Sequence, residues 1–501
     1  MRQLWPAPVF ILACVALGLI PLVAFAWQQG GVVLPDAYVW RVVRFTIWQA
    51  MLSTLLSVVP AIFIARALAR RRFFGRDALL TVLAVPLSLP VIVAVFGITA
   101  VYGASGVLGG WFNLYGLSGI LIAHVFFNMP LATRLLLQNL QNTPAENHRL
   151  AAQMNFSDLA VFRHVDWPML KPSLPRVAAL VFLLCASSFV IVLLFGGPQA
   201  TTLEVAIYQS LRMDFDVSRA LTLTVIQILL SGLLVWAAVK VLLQTDQMSS
   251  SGVLCERYDG RSGLSWLLDF SSIAVLALLV VPILLSVMLQ GLAHLSLSTI
   301  LLTAIGTSLG VAALTCVILL PLAWALAKLQ AQLTHRQGLV TTLSLASYIV
   351  PPAVLATGWF LAFRTWDGGV WLAVVLIAAM NALMALPFLM SVLAPAMIQA
   401  ARQHDRLCLQ LNVMGWHRFS LIDVPALRGP LAQAILMATV LSMGDLTAVT
   451  LLGSRGLLTL PSLVQQQLGH YQSDAAAGTA LVLAAICFGA TVLAQKFSKW
   501  T

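Results

Sequence analysis

The sequence predicts an all-α polytopic membrane protein of about 12 transmembrane helices, arranged as two parallel six-helix repeats. Three observations predict it. The 501-residue chain is 60% hydrophobic and only 9% charged. Its apolar residues form continuous runs near or above about 18 residues, long enough to cross roughly 30 Å of hydrocarbon as helices. The heptapeptide RLAAQMN at 149–155 returns as RLCLQLN at 406–412. Barrel strands, the other structure that spans a bilayer, are short and alternate apolar with polar residues, so continuous runs exclude them.

The first run, about 8–27, follows Arg2 and ends near Ala24-Phe25-Ala26, as a secretory leader does. It is longer than a leader's apolar core, so it reads as a retained span. Further runs lie at about 45–65, 78–101, 117–137, 177–195 and 220–243. Residues 244–263, QTDQMSSSGVLCERYDGRSG, are polar and contain Ser and Gly, as a solvated linker should. A second set follows at about 267–290, 301–327, 338–363, 370–394, 431–453 and 475–495. The organisation expected is a first repeat over 1–243, a cytoplasmic linker over 244–263 and a second repeat over 264–501.

Lys and Arg are retained on the cytoplasmic side during insertion, which sets the orientation. With both termini cytoplasmic, the inner side receives 22 of the 28 basic residues, including the group Arg66, Arg70, Arg71, Arg72 and Arg76. The outer side receives six: Arg41, Arg44, Arg212, Arg219, Arg364 and Arg455. Topology therefore accounts for the net charge of +11, and no nucleic-acid partner is needed to explain it. The expected setting is the bacterial inner membrane, with the lipid bilayer as the first partner. The six cysteines have no ligand spacing and mostly fall inside spans, where cysteine is a small apolar packer.

The repeat extends well beyond the heptapeptide. At the same offset Pro130 pairs with Pro387, Arg149 with Arg406, Leu150 with Leu407, Gln153 with Gln410 and Asn155 with Asn412. So do Phe162 with Phe419, Asp166 with Asp423 and Pro168 with Pro425. An offset of 261 pairs Pro90 with Pro351 and Gly97 with Gly358. Both copies of the heptapeptide fall in the inner loop between the fourth and fifth spans of their half. Residues 146–154 read as a short helix, Asn155 breaks it, and Ser157 or Asp158 caps a second helix that Pro168 is expected to stop. Asn is the residue other than Gly that most readily adopts left-handed backbone, so Asn155 and Asn412 are expected to turn the chain. The tip then carries Phe156, Leu159 and Phe162 in one copy, and Val413, Trp416 and Phe419 in the other.

These loops resemble the Glu-Ala-Ala coupling loop of type I ABC importer permeases. Arg149-Leu150-Ala151 and Arg406-Leu407-Cys408 stand where that family has Glu-Ala-Ala, Asn155 and Asn412 stand for its Gly, and Pro168 and Pro425 are kept. The stretches GGPQATTLEVAIYQ (196–209), NALMALPFLMSVLAPAM (381–397) and LSMGDLTAVTLLG (441–453) extend the resemblance to fused thiamine importer permeases over nearly the full length. Fused iron(III) permeases share the architecture and are the alternative. The resemblance implies two copies of an ABC ATPase seated on the loops, ATP and magnesium bound by that partner, and a periplasmic binding protein delivering substrate to outer loops such as 197–217 and 454–474.

The remaining classes find little support. The chain has no Gly-Lys dipeptide and hence no Walker A loop, so no nucleotide cofactor is expected on it. Its eight histidines are dispersed without catalytic or metal-ligand spacing. An ion-coupled carrier calls for several titratable groups in the membrane, and Asp445 is the one clear acid at depth. Asp445, with Tyr348, Trp359 and Phe363 in the ninth span, is a candidate lining of a path for a cation. The competing expectation is that Asp445 caps or cross-links helices.

Overall fold

A proline marks where one long apolar run of this chain stops being a single helix. In the computed structural model the described residues are 6–28, 31, 33–83, 85–104, 106–109, 113–243, 259, 262–333, 340, 343–344, 350–363, 369–413, 415–453 and 457–498. The chain begins with α1 (Pro6–Gln28) and α2 (Ala37–Arg70), the latter started by the Asp36 carboxylate accepting the Val39 N–H at 2.8 Å. The run at 78–101 is not one helix. It divides into α3 (Arg76–Val82), α4 (Val85–Ser88) and α5 (Val91–Tyr102), with Pro90 as the cap of α5. Proline supplies no N–H and holds the preceding residue extended, which is why the break falls there.

Next come α6 (Leu117–Gln141), α7 (Ala145–Gln153), α8 (Asp158–Val161), α9 (Trp167–Leu170), α10 (Leu174–Ala186), α11 (Val190–Phe195), α12 (Leu203–Arg212) and α13 (Val217–Leu243). The second half repeats the series: α14 (Gly263–Ala293), α15 (Thr299–Gln332), α16 (Pro352–Phe363), α17 (Gly369–Gln410), α18 (Gly415–Arg418), α19 (Val424–Ala426), α20 (Arg428–Gly444), α21 (Thr447–Leu452), α22 (Leu460–Gly469) and α23 (Ser473–Ser498). Of the expected linker, only Asp259, Ser262 and Gly263 lie among the described residues.

Among the described residues, eight helices are long and apolar enough to cross a membrane, or eleven if each of three bent pairs counts once. The ninth span falls short of that test because α16 has only 12 residues and 345–349 ahead of it lie outside the described residues. The fifth span of each half is interrupted near its C-terminal end, at 187–189 and at 445–446. One further asymmetry has a plain cause. Asn142–Pro144 separates α6 from α7, whereas the position equivalent to Pro144 is Ala401, and α17 runs unbroken for 42 residues into the second loop.

The two hydrophobic cores are each built from both halves. One joins α2, α5, α6, α10 and α11 to α14, α22 and α23; the other joins α15, α16, α17, α20 and α21 to α1, α12 and α13. The first helix of each half thus lies on the other half, α1 on α16 and α14 on α5. This explains the repeated glycine. A Cβ on Gly97 would come within 2.8 Å of Ile283 Cγ2 and 2.9 Å of the Ile283 carbonyl on α14, and a Cβ on Gly358 would run into the backbone of Gly18 on α1. In hydrocarbon, where helices gain nothing by hiding apolar surface from lipid, such close small-residue crossings carry much of the association.

The short helices α12 and α22 are pinned alike. The Leu203 N–H donates to Thr46 Oγ1 at 3.0 Å, and the Leu460 N–H to Ser308 Oγ at 2.8 Å.

Candidate functional site

The two repeated loops close on the same turn, bond for bond. After α7, Asn155 has φ 50°; its N–H donates to the Ala152 carbonyl at 3.1 Å, and the Phe156 N–H reaches back to Ala151 at 3.0 Å. After α17, Asn412 has φ 52°; its N–H donates to Leu409 at 3.4 Å and the Val413 N–H to Cys408 at 3.0 Å. This is the Schellman pattern, in which a left-handed residue lets two backbone N–H groups satisfy the last helical carbonyls. Its usual apolar contact is present, since Phe156 packs against Ala151, Val161 and Val165. The Ser157 hydroxyl then accepts the Ala160 N–H at 3.4 Å and starts α8. Because the turn needs φ > 0 and not the amide, Asn155→Gly and Asn412→Gly are expected to leave the thermal midpoint in detergent nearly unchanged. β-Branched Val at either place is strained there by about 1–2 kcal/mol and should lower that midpoint by a few degrees. Equal midpoints in the Gly and Val variants would contradict this.

Pro168 does not stop the second helix. In each loop a wide, π-helical turn comes first, Phe162–Asp166 and Phe419–Asp423, closed by N–H groups of Trp167 and Val424 donating to the Phe162 and Phe419 carbonyls. The helix then continues through Pro168 to Leu170, and through Pro425 to Ala426. The extra residue in the turn relieves the clash that a proline ring makes with the carbonyl four residues before it. Past each loop the chain bends into the fifth span, by 60° in the first half and 79° in the second.

Of the side chains expected at the tip, Leu159 and Trp416 are 74% and 73% exposed. Leu150 and Leu407 are exposed beside them, as are Arg149, Gln153, Pro168, Arg406, Gln410 and Pro425. Ala151 and Cys408 are buried. The aromatic rings at the equivalent positions 162 and 419 serve as anchors instead. Phe162 lies under the Arg66 guanidinium at 5.1 Å, and Phe419 packs against Trp324 and Trp416 with centroids 5.1 and 5.0 Å apart.

The repeated acids hold the loops to the second helix of each half. Asp166 is fully buried and accepts from Arg66 Nε at 2.8 Å, while Arg66 Nη2 donates to the Asp158 carbonyl at 2.8 Å. Asp423 pairs with Lys328 at 3.6 Å and with Arg418 at 3.3 Å, and Arg418 also binds Asp405 at 2.5 Å. Arg70 extends the first cluster across the halves, meeting Asp269 of α14 at 2.5 Å and Asp259 at 3.4 Å; Arg71 meets Asp269 at 2.7 Å. Sequence reading saw the acids repeat but missed their partners, because Arg66 and Lys328 are 262 positions apart and differ in type.

The candidate path residues do not converge. Asp445 lines a cavity of about 260 Å³ between the halves, with Leu87–Val91 on one wall and Asn381, Phe388 and Gly444 on the other. Its carboxylate accepts the Thr447 and Ala448 N–H groups at 3.0 Å each and so starts α21. Trp359 and Phe363 line a separate cavity of about 630 Å³ beside α1, where Trp359 Nε1 donates to the Cys14 carbonyl at 3.0 Å. Tyr348 lies outside the described residues.

Residues 57–245 match the family described as "Binding-protein-dependent transport system inner membrane component". The thiamine transport system permease protein ThiP of Escherichia coli (strain K12) is 42% identical over 500 residues, covering 95% of this chain and 92% of its own length. ThiP of Brucella melitensis biotype 1 is 41% identical over 92% of this chain and 88% of its own. ThiP of Haemophilus influenzae is 35% identical over 90% and 87%.

Proposed function

Because the chain belongs to the family of binding-protein-dependent transport system inner membrane components, and is similar to thiamine transport system permeases over nearly its whole length, we propose that it is the membrane path of an ABC importer for thiamine and its phosphates. ATP and magnesium are bound by a separate ATPase, two copies of which seat on the paired inner loops. A periplasmic binding protein delivers substrate to the outer loops, within 197–217 and 454–474. Both termini face the cytoplasm, as the distribution of Lys and Arg favours.

The observation that carries the reading is the duplication of one docking device. Each half offers an exposed apolar tip, a Schellman turn, a wide turn before a proline, and a buried aspartate tying the loop to the second helix of its half. An amphipathic loop that merely lies on lipid needs no such matched backbone. ATP closing the two ATPase subunits would move both loops at once, and the anchors at Asp166 and Asp423 would pass that movement to α2 and α15.

Uptake into vesicles tests the proposal. Thiamine accumulation is expected to require ATP on the ATPase side and the binding protein on the other, and to survive an uncoupler. Accumulation that collapses with the uncoupler would make the chain an ion-coupled carrier. Accumulation of iron(III) in place of thiamine would favour the other fused importer.

A further inference from the structure

The cavity between the halves carries polar groups that the loops do not explain. A Cβ on Gly444 would lie 3.3 Å from the Pro90 Cβ, so the halves meet at this point. Asn381 is 4% exposed, and its amide nitrogen donates to Ser442 Oγ at 2.9 Å and to the Ser442 carbonyl at 3.4 Å. A backbone carbonyl only accepts, which fixes the orientation of the amide. Asn381 Oδ1 is consequently left without a hydrogen-bond partner among the described residues. The Asp445 carboxylate receives the two backbone N–H groups and a side-chain hydrogen bond from Thr447, which fills three of its roughly four acceptor positions and leaves one open. The Ser88 hydroxyl is spent on the Val85 carbonyl at 3.0 Å, and the rest of the lining is apolar. The cavity therefore presents acceptors and a carboxylate with no free side-chain donor.

The first half has no such pair. The positions equivalent to Asp445 and Asn381 are Ser188 and His124, and His124 Nδ1 is engaged with Ser53 Oγ at 2.9 Å. The second half builds the corresponding contact from Thr315, Ser442 and Asn381, with Thr315 Oγ1 and Ser442 Oγ 3.0 Å apart. One scaffold is thus repeated, each copy leaving a buried polar atom without a hydrogen-bond partner among the described residues, His124 Nε2 in the first and Asn381 Oδ1 in the second. Only the second sets an acid beside it in the lining of the space between the halves. Holding an acid and an unpaired amide oxygen in a membrane interior is costly unless a ligand completes them.

We infer that Asp445 and Asn381 form a transit site for an organic cation bearing an N–H donor, with the carboxylate facing the fixed charge and Asn381 Oδ1 accepting the N–H. Resting on the substrate reading above, this gives each end of thiamine a partner, Asp445 for the thiazolium ring and Asn381 for the amine of the pyrimidine. The capping of α21 and the recognition of the cation then fall to one side chain, and its two roles separate on substitution.

Uptake of thiamine is compared with uptake of its neutral thiophene analogue in vesicles holding permease, ATPase and binding protein. The ratio of the two cancels differences in assembly and turnover. Asp445→Ser keeps a helix-capping oxygen and copies the equivalent position of the first half. It is expected to lower the ratio about ten-fold or more relative to the unaltered chain, whereas Asn381→Leu lowers uptake of both compounds. Should Asp445→Ser abolish uptake of both, thiamine binding to the purified permease–ATPase complex carrying Asp445→Asn decides. Binding weakened at least ten-fold supports the site, and unchanged binding overturns it. Thiamine uptake with an unchanged ratio overturns the site alone and leaves Asp445 as a cap. No thiamine uptake by the unaltered complex overturns the substrate reading and this site with it.

Discussion

Leu159→Asp combined with Trp416→Asp is expected to leave the permease folded in the membrane and to strip it of its ATPase. Both side chains are largely exposed, so replacing them removes little that holds the permease together, and such surface changes are usually worth within about 0.5 kcal/mol. Seated in an ATPase cleft the same positions lose water, and an unpaired carboxylate there costs on the order of 3–5 kcal/mol. Two such losses act on one assembly, because each loop raises the effective concentration for the other. The single variants should retain partial binding, and the double variant should co-purify with none. A double variant that still carried ATPase through purification and transported normally would remove the docking role from these loops.

Gly358→Leu is expected to be the most damaging single change within the membrane. A Cβ at 358 meets the carbonyl oxygen, carbonyl carbon and Cα of Gly18, all backbone, so no rotamer change makes room and α1 itself must lift away. Forced separation of a close crossing should cost at least about 3 kcal/mol, at the upper end for overpacking. Thermal unfolding in detergent measures it. Gly306→Leu is the control, since a Cβ at 306 on α15 meets nothing within 4 Å. Equal thermal midpoints for the two variants would show that the crossing at Gly18 contributes nothing.

Much of the fold was legible because a membrane imposes a length and an apolarity that side chains report directly. The breaks were not. Ser187–Phe189 and Asp445–Leu446 interrupt runs whose hydropathy stays high, and hydropathy does not record where backbone hydrogen bonding lapses. In the loops, Asn155 and Asn412 were readable because left-handed backbone is a local property of the residue. Pro168 was misread because the turn that accommodates it is set by five residues together. Non-local contacts account for the rest. Gly97 and Gly358 stand out in sequence as a pair, yet what each touches is a helix of the other half. Trp359 and Phe363 share a span with an aromatic pattern, and only packing shows that they face α1 and not Asp445.

The crossing of α1 over α16 also imposes a timetable on synthesis. Gly18 leaves the ribosome 340 residues before Gly358 (358 − 18), which at about 5–20 residues per second is a delay of roughly 20–70 s. Throughout that interval α1 has only lipid where α16 will be. Its counterpart α14 emerges onto a landing place already made, since Gly97 precedes Ile283 in the chain. The two equivalent joints of this pseudo-symmetric molecule are therefore closed in very different ways, one at once and one last. A chain cut short anywhere before residue 352 leaves α1 still unpaired on α16's side.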